Sequence, residues 1–127
     1  MKKSIITSEA PAAIGPYSQG IRAGGFVFVS GQLPIDPATG AFSGEAIADQ
    51  TRQSLANIRA ILAEEGLSME DVVKTTVLLK NISDFAAMNE VYATFFPGEA
   101  PARAAFEVAA IPKGALVEIE AIAYAGE

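Results

Sequence analysis

Gln19-Gly20-Ile21-Arg22-Ala23-Gly24-Gly25-Phe26-Val27-Phe28-Val29-Ser30 carries the strongest structural signal in the chain. Two strand-like runs flank Gly24-Gly25, the pattern of a two-residue hairpin whose turn needs positive φ. The second run, Phe26-Val27-Phe28-Val29, is apolar on both sides of the pleat, where a sheet with one wet face alternates. Both faces of that strand therefore need a cover.

The flanking sequence supplies one of the two covers. Lys3 to Ile6 reads as a first strand, and Pro11, Gly15 and Pro16 mark a loop before the hairpin. Pro34, Pro37, Gly40 and Gly44 punctuate a second irregular stretch. From Ala46 to Glu65, apolar residues at Ile47, Leu55, Ile58 and Leu62, with Thr51, recur every three or four positions and predict an amphipathic helix. Gly66 with Leu67 behind it predicts a Schellman ending. Val72 to Lys80 is β-branched and reads as a strand, and Ser83 or Asp84 is a candidate cap for a second helix running to Phe96. Phe85, Met88, Tyr92 and Phe95 or Phe96 give that helix a core-facing side. Arg103 to Val108 and Val117 to Tyr124 read as two closing strands, joined by a loop with Pro112 and Gly114. The order β, ββ, α, β, α, ββ predicts an α+β fold, a single mixed sheet with two helices on one face. No third helix remains for the other face, so a neighbouring copy of the chain is the simplest cover.

Composition agrees with that picture and narrows the chemistry. The chain has 127 residues, a length that predicts one domain, yet half of them are hydrophobic and the mean hydropathy is +0.30. No apolar run reaches the length of a membrane helix, and Ile5-Ile6 runs at once into Thr7, Ser8 and Glu9, so no secretory h-region forms and a cytoplasmic location is expected. With no Cys and no His, thiolate nucleophiles, thiolate metal sites and the commonest general base are all excluded. Neither a metal nor a cofactor is expected. A net charge of −6 and nine scattered Lys and Arg leave no basic stripe for phosphates, which argues against nucleic acid as a partner.

Pro101-Ala102-Arg103-Ala104-Ala105-Phe106-Glu107-Val108 is the segment richest in chemistry. Alternation places Arg103, Ala105 and Glu107 on one face and Phe106 and Val108 on the other. On the last strand Glu118 and Glu120 share a face with Ile122 and Tyr124. Two readings stay open at this point. Arg103 could pair with a Glu on a neighbouring strand, a contact contributing a few tenths to about 1 kcal/mol when exposed. Alternatively its planar fork could hold a ligand carboxylate in an otherwise acidic protein. Tyr17, Ser30-Gly31 and Asn89 have ordinary structural readings as loop packing, a strand end and a solvent-facing helix residue.

Several separated segments together resemble the RidA/YjgF deaminases over nearly the whole chain. Pro101-Ala102-Arg103 followed by Val117-Glu118-Ile119, with Glu118 fifteen positions after Arg103, resembles the family signature. Ala13-Ile14-Gly15-Pro16-Tyr17-Ser18-Gln19-Gly20 is similar to its N-terminal loop, and Ser30-Gly31-Gln32-Leu33-Pro34 to the segment ending the hairpin. Thr51-Arg52-Gln53-Ser54-Leu55 with Asn57, Val73-Lys74-Thr75-Thr76-Val77, and Asn89 with Tyr92 and Phe95-Phe96 look like the central segments. The resemblance implies a chorismate-mutase-like fold, a homotrimer with ligand sites between subunits, and hydrolysis of 2-imino acids such as 2-iminopropanoate and 2-iminobutanoate to 2-keto acids and ammonia. It assigns the substrate carboxylate to Arg103 and the attacking water to Glu118. Tyr17, Ser30, Gly31 and Asn89 are then cleft residues, with the backbone of Ala105 facing the imine nitrogen. Many relatives carry Cys where Ala105 stands, so thiol redox activity is not expected. A non-catalytic protein that senses a small carboxylate in the same cleft is the alternative. Ribonuclease activity, attributed to some relatives, is weakened here by the acidic charge and the absence of His.

Overall fold

The computed structural model describes residues 1–126. Eight elements follow in chain order: β1 (Lys2–Ile5), β2 (Gly20–Ala23), β3 (Phe26–Gln32), α1 (Ile47–Ala63), β4 (Val72–Leu79), α2 (Phe85–Phe95), β5 (Ala102–Glu107) and β6 (Val117–Tyr124). The predicted order is therefore the observed one. All six strands join one sheet in the order β1-β2-β3-β6-β4-β5. Only the β4–β5 pair is parallel, because α2 carries the chain across between them. The fold is α+β, a single mixed sheet with two helices.

The hairpin forms as expected, but its two glycines do different work. Gly24 adopts φ +58, the left-handed turn conformation. Gly25 is needed for space, since a Cβ there would sit 2.6 Å from the Gly126 carbonyl oxygen. Helix α1 ends in the predicted Schellman geometry: Gly66 has φ +73, Leu67 N–H bonds the Leu62 carbonyl and Gly66 N–H bonds the Ala63 carbonyl, each at 3.0 Å. Helix α2 starts after Asp84, one of the two expected cap positions, but without the expected side-chain bond. A 3-10 turn over Ile82–Asp84 precedes the helix, and Asp84 makes no side-chain cap. Glu107 of β5 serves this end instead, its Oε1 accepting the Ile82 N–H at 2.8 Å.

Both helices pack on one face of the sheet. Val77 and Leu79 of β4, Val117 and Ile119 of β6, and Leu55, Ile58, Ile61 and Leu62 of α1 are all fully excluded from solvent. Met88 and Tyr92 bring α2 into the same cluster. On the opposite face, Phe26 (43 % exposed), Phe28 (44 %), Phe106 (47 %) and Tyr124 (42 %) stand half-open, with Phe26 and Tyr124 rings 5.3 Å apart. Strand β3 thus has the doubly apolar character read from its sequence. No helix among the described residues is long and apolar enough to cross a membrane.

One contact in the N-terminal loop was not legible as a strand residue. Gln19, expected to begin β2, lies just before it and is buried, 4 % exposed. Its Oε1 accepts the Thr7 N–H at 2.8 Å, and its Nε2 donates to the carbonyls of Thr7, Ala10 and Pro11 at 3.0, 3.2 and 2.8 Å. This side chain ties a segment that has no ladder of its own. Gln19→Ala strips these backbone groups of their partner, at about 1 kcal/mol per hydrogen bond. Denaturant unfolding is expected to show a loss of about 2–3 kcal/mol, together with faster proteolytic cleavage between residues 8 and 18.

Candidate active site

Arg103 enters the structure through β5, directly beside Thr75 of β4, and its side chain lies on the face covered by α2. Its Nη1 donates to Asn89 Oδ1 at 2.7 Å. The guanidinium carbon stands 4.8 Å from the Tyr92 ring centroid and 5.4 Å from that of Phe85. Phe85, Asn89 and Tyr92 are spaced four and then three residues apart, which aligns them on one side of α2. The Tyr92 hydroxyl and Thr75 Oγ1 are 2.7 Å apart, a buried hydrogen bond in which either can donate. Burial raises the Tyr92 phenol above its ordinary pKa, outweighing the lowering by the Thr75 bond and the Arg103 charge. A hollow of about 490 Å³ opens beside Arg103, lined also by Ala93, Phe96, Ala100 and Pro101. Ala105, on the same face as Arg103, packs partly buried against the core.

Glu118 belongs to a second group. It sits on β6 beside Leu78, on the face away from the helices. Its carboxylate lies against Gly31, where a Cβ would fall 2.5 Å from Oε2 and 3.1 Å from the carboxyl carbon. Glycine at 31 is what leaves that space. Ser30, the neighbour of Gly31, is tied to the N-terminal loop: its hydroxyl donates to the Ser18 carbonyl at 2.5 Å and its N–H to the Gln19 carbonyl at 3.0 Å. Tyr17 stands beside Ser18, exposed, its hydroxyl accepting the Ile14 N–H at 3.4 Å. Burial, and then the negative charge of Glu120, hold the Glu118 carboxyl above its ordinary pKa.

The two groups do not meet within one chain. Arg103 is in register with Thr75 and Ala121, whereas Glu118 is three residues further along β6, in register with Leu78 and Phe106. Two strand spacings and three residue rises separate their backbones by roughly 14 Å, and their side chains leave opposite faces. The ion-pair reading of Arg103 is therefore corrected: β4 lies between β5 and β6, so Arg103 and the two glutamates are not on neighbouring strands. Arg103 and Asn89 are brought together, as are Glu118 and Gly31, with Ser30 and the Tyr17 loop adjoining. Sequence reasoning gives Phe85, Tyr92 and Thr75 no role at the site beyond core, strand and family-like segment, although the 85, 89, 92 spacing is a signal that aligns Phe85 and Tyr92 with Asn89. Among the described residues no three or more His, Cys, Asp or Glu side chains gather to hold a metal ion.

The family model described as Endoribonuclease L-PSP matches residues 7–125. The chain belongs to that family, RidA/YjgF. It is 58 % identical to a RutC family protein of Pyrococcus horikoshii, over 98 % of each chain. It is 51 % identical to the 2-iminobutanoate/2-iminopropanoate deaminase of Salmonella typhimurium, over 97 % of this chain and 98 % of that one. The crystal structure of E. coli TdcF with bound serine superposes with a TM-score of 0.93 at 46 % identity, covering 96 % of this chain and 98 % of that one.

The raised Glu118 pKa has a consequence for stability. A carboxyl whose folded pKa exceeds its unfolded value is preferred protonated by the fold, so stability is lost as pH rises from the unfolded pKa through the folded one. Glu118→Gln removes that loss. Its melting temperature is expected to exceed that of the unmutated protein at about pH 7.5, with the difference closing by about pH 3, where the glutamate is protonated in both the folded and the unfolded chain. A thermal scan against pH checks the sign, and a variant less stable than the parent at neutral pH contradicts it.

Proposed function

We propose that this chain is a 2-iminobutanoate/2-iminopropanoate deaminase, working as a cytoplasmic homotrimer with its sites between subunits. The observation that carries the reading is that one chain presents an Asn89-held guanidinium on one face of the sheet and a carboxylate of raised pKa on the other, where neither can reach the other. A three- or four-carbon imino acid cannot span roughly 14 Å across a sheet, so Arg103 of one copy must meet Glu118 of the next. The half-open apolar face around Phe26, Phe28, Phe106 and Tyr124 supports such an assembly. The deaminase name carried by the Salmonella relative supports the reaction class, and the serine bound to TdcF supports a ligand of amino-acid size.

In this reading Arg103 forks the carboxylate of the imino acid and fixes C2 against the partner copy. Glu118 accepts a proton from a water as its oxygen adds to C2, giving a tetrahedral carbinolamine. Glu118 passes that proton to the nitrogen, and the C–N bond then breaks to release ammonia while the hydroxyl gives its proton back to Glu118 or to solvent, leaving the 2-keto acid. A carboxylate with a raised pKa is a better proton acceptor than an ordinary one, which suits Glu118 to the task. Gly31 leaves room for the carboxylate, and Ser30, Tyr17, Asn89 and the Ala105 backbone border the cleft. Orientation and one pre-placed base suffice here, because free imines already hydrolyse in water. No phosphate-binding chemistry enters, and the net charge of −6 with no His argues against the endoribonuclease description for this chain.

Arg103→Ala is expected to lose binding of 2-oxobutanoate and imine turnover together. Glu118→Gln is expected to keep that binding and lose turnover by about 10²-fold or more, the scale of a general base. Each preparation is then mixed with the other, unfolded and refolded together. If each site takes Arg103 from one copy and Glu118 from the next, random assembly restores about a quarter of the parental sites. Imine decay, followed while a dehydratase generates the imine from threonine, reads the outcome. A mixture as inactive as its components refutes the shared site. Binding of 2-oxobutanoate by an unmutated protein that never accelerates imine decay replaces the enzyme with a carboxylate sensor.

A further inference from the structure

Arg103 is solvent-exposed, yet its guanidinium is held in place on three sides. Tyr92 and Phe85 offer ring faces at 4.8 and 5.4 Å, and Asn89 accepts from Nη1 at 2.7 Å between them. Tyr92 is itself pinned from below by Thr75, the residue of β4 in register with Arg103. The contacts form a closed circuit: β5 to α2 through Arg103, α2 to β4 through Tyr92, and β4 to β5 through the strand pairing. An arginine on an edge strand normally samples many rotamers, and this one is confined by a helix face built of two rings and one amide.

The chemistry of the three partners is selective. Asn89 is a neutral acceptor, so it anchors the guanidinium without cancelling its charge, as a carboxylate in that position would do. A guanidinium has five N–H donors, and a carboxylate bridging Nε and Nη2 does not compete with the Asn89 bond at Nη1. The rings attract the cation through their faces and displace water from it, leaving the planar edge as the route for an anionic ligand.

We propose that Phe85 and Tyr92 are positioning residues whose ring faces hold the Arg103 guanidinium pre-oriented for the substrate carboxylate. The inference rests on Arg103 being the carboxylate anchor, and it adds that affinity depends on the two ring faces that bear on its guanidinium. A purely core role for the same rings makes a different prediction: their truncation lowers melting temperature and leaves the affinity of the folded protein unchanged.

The test measures the dissociation constant of 2-oxobutanoate by calorimetry, KM and kcat by imine decay, and melting temperature for each variant. Phe85 is only partly buried, so Phe85→Leu keeps a folded protein while removing one ring. It is expected to weaken 2-oxobutanoate binding roughly fivefold, the scale of one cation–ring contact, with KM rising in step and kcat within about threefold. Tyr92→Leu is expected to do at least as much. Tyr92→Phe keeps the ring and loses the Thr75 bond, so it recovers most of the affinity lost in Tyr92→Leu even where its melting temperature falls. Phe85→Leu with parental affinity, or with reduced kcat at unchanged KM, overturns the proposal. Arg103→Ala separates the two levels: if it still binds 2-oxobutanoate, the anchor reading fails and this inference with it. If Arg103→Ala loses binding and the ring variants do not, only the positioning role fails.

Discussion

The inner rows of β4 and β6, pressed against α1, govern the placement of every other side chain in the sheet. Val77, Leu79, Val117 and Ile119 are removed from water there together with Leu55, Ile58, Ile61 and Leu62. Burying a side chain of this size contributes about 1.5–3 kcal/mol, and sliding a strand by one residue would turn the whole row outward. The register is therefore locked, and alternation then assigns the rest. Once Val117 and Ile119 face inward, Glu118 and Glu120 must face outward. Once Val77 faces inward, its parallel partner Ala105 does too, and Arg103 two residues earlier follows it beneath α2.

That chain of consequence explains which features could be read from sequence. Alternation, the Gly24 turn and the Gly66 helix ending are local, each expressed within a few residues, and each matches its expectation. Strand order is not local. Arg103 and Glu118 lie on strands consecutive in sequence, which suggests neighbours in space, but β4 pairs with both and separates them. Nothing in the periodicity of 101–124 announces the intervening strand. Helix α2 starts after Asp84 as its sequence predicts, but its cap is not local: the partner of the Ile82 N–H is Glu107, on another strand, and Asp84 makes no side-chain cap.

Candidate site residues divide along the same line. Arg103, Glu118 and Gly31 were legible through the family resemblance, and the structure supplies a physical reason for Gly31 in the space that Glu118 occupies. Phe85 and Tyr92 were read as core because aromatic residues at helical spacing usually are. Both readings hold at once for Tyr92, which is 6 % exposed, hydrogen-bonded to Thr75 and stacked on Arg103. The neighbours of Gln19 in sequence place it in a strand, and only its four contacts with residues 7–11 reveal that it organises the loop bearing Tyr17.

Separation of Arg103 from Glu118 within the chain also keeps each group chemically available. Side by side, a guanidinium and a carboxylate form an ion pair that occupies the arginine fork and drives the carboxyl pKa down, weakening it as a base. On opposite faces neither happens. Asn89 holds Arg103 without neutralising it, and burial with Glu120 nearby moves the Glu118 pKa upward instead. Under the proposed function, a substrate carboxylate held by Arg103 of one copy cancels that charge, so Glu118 of the next copy faces a neutralised pair rather than a bare cation.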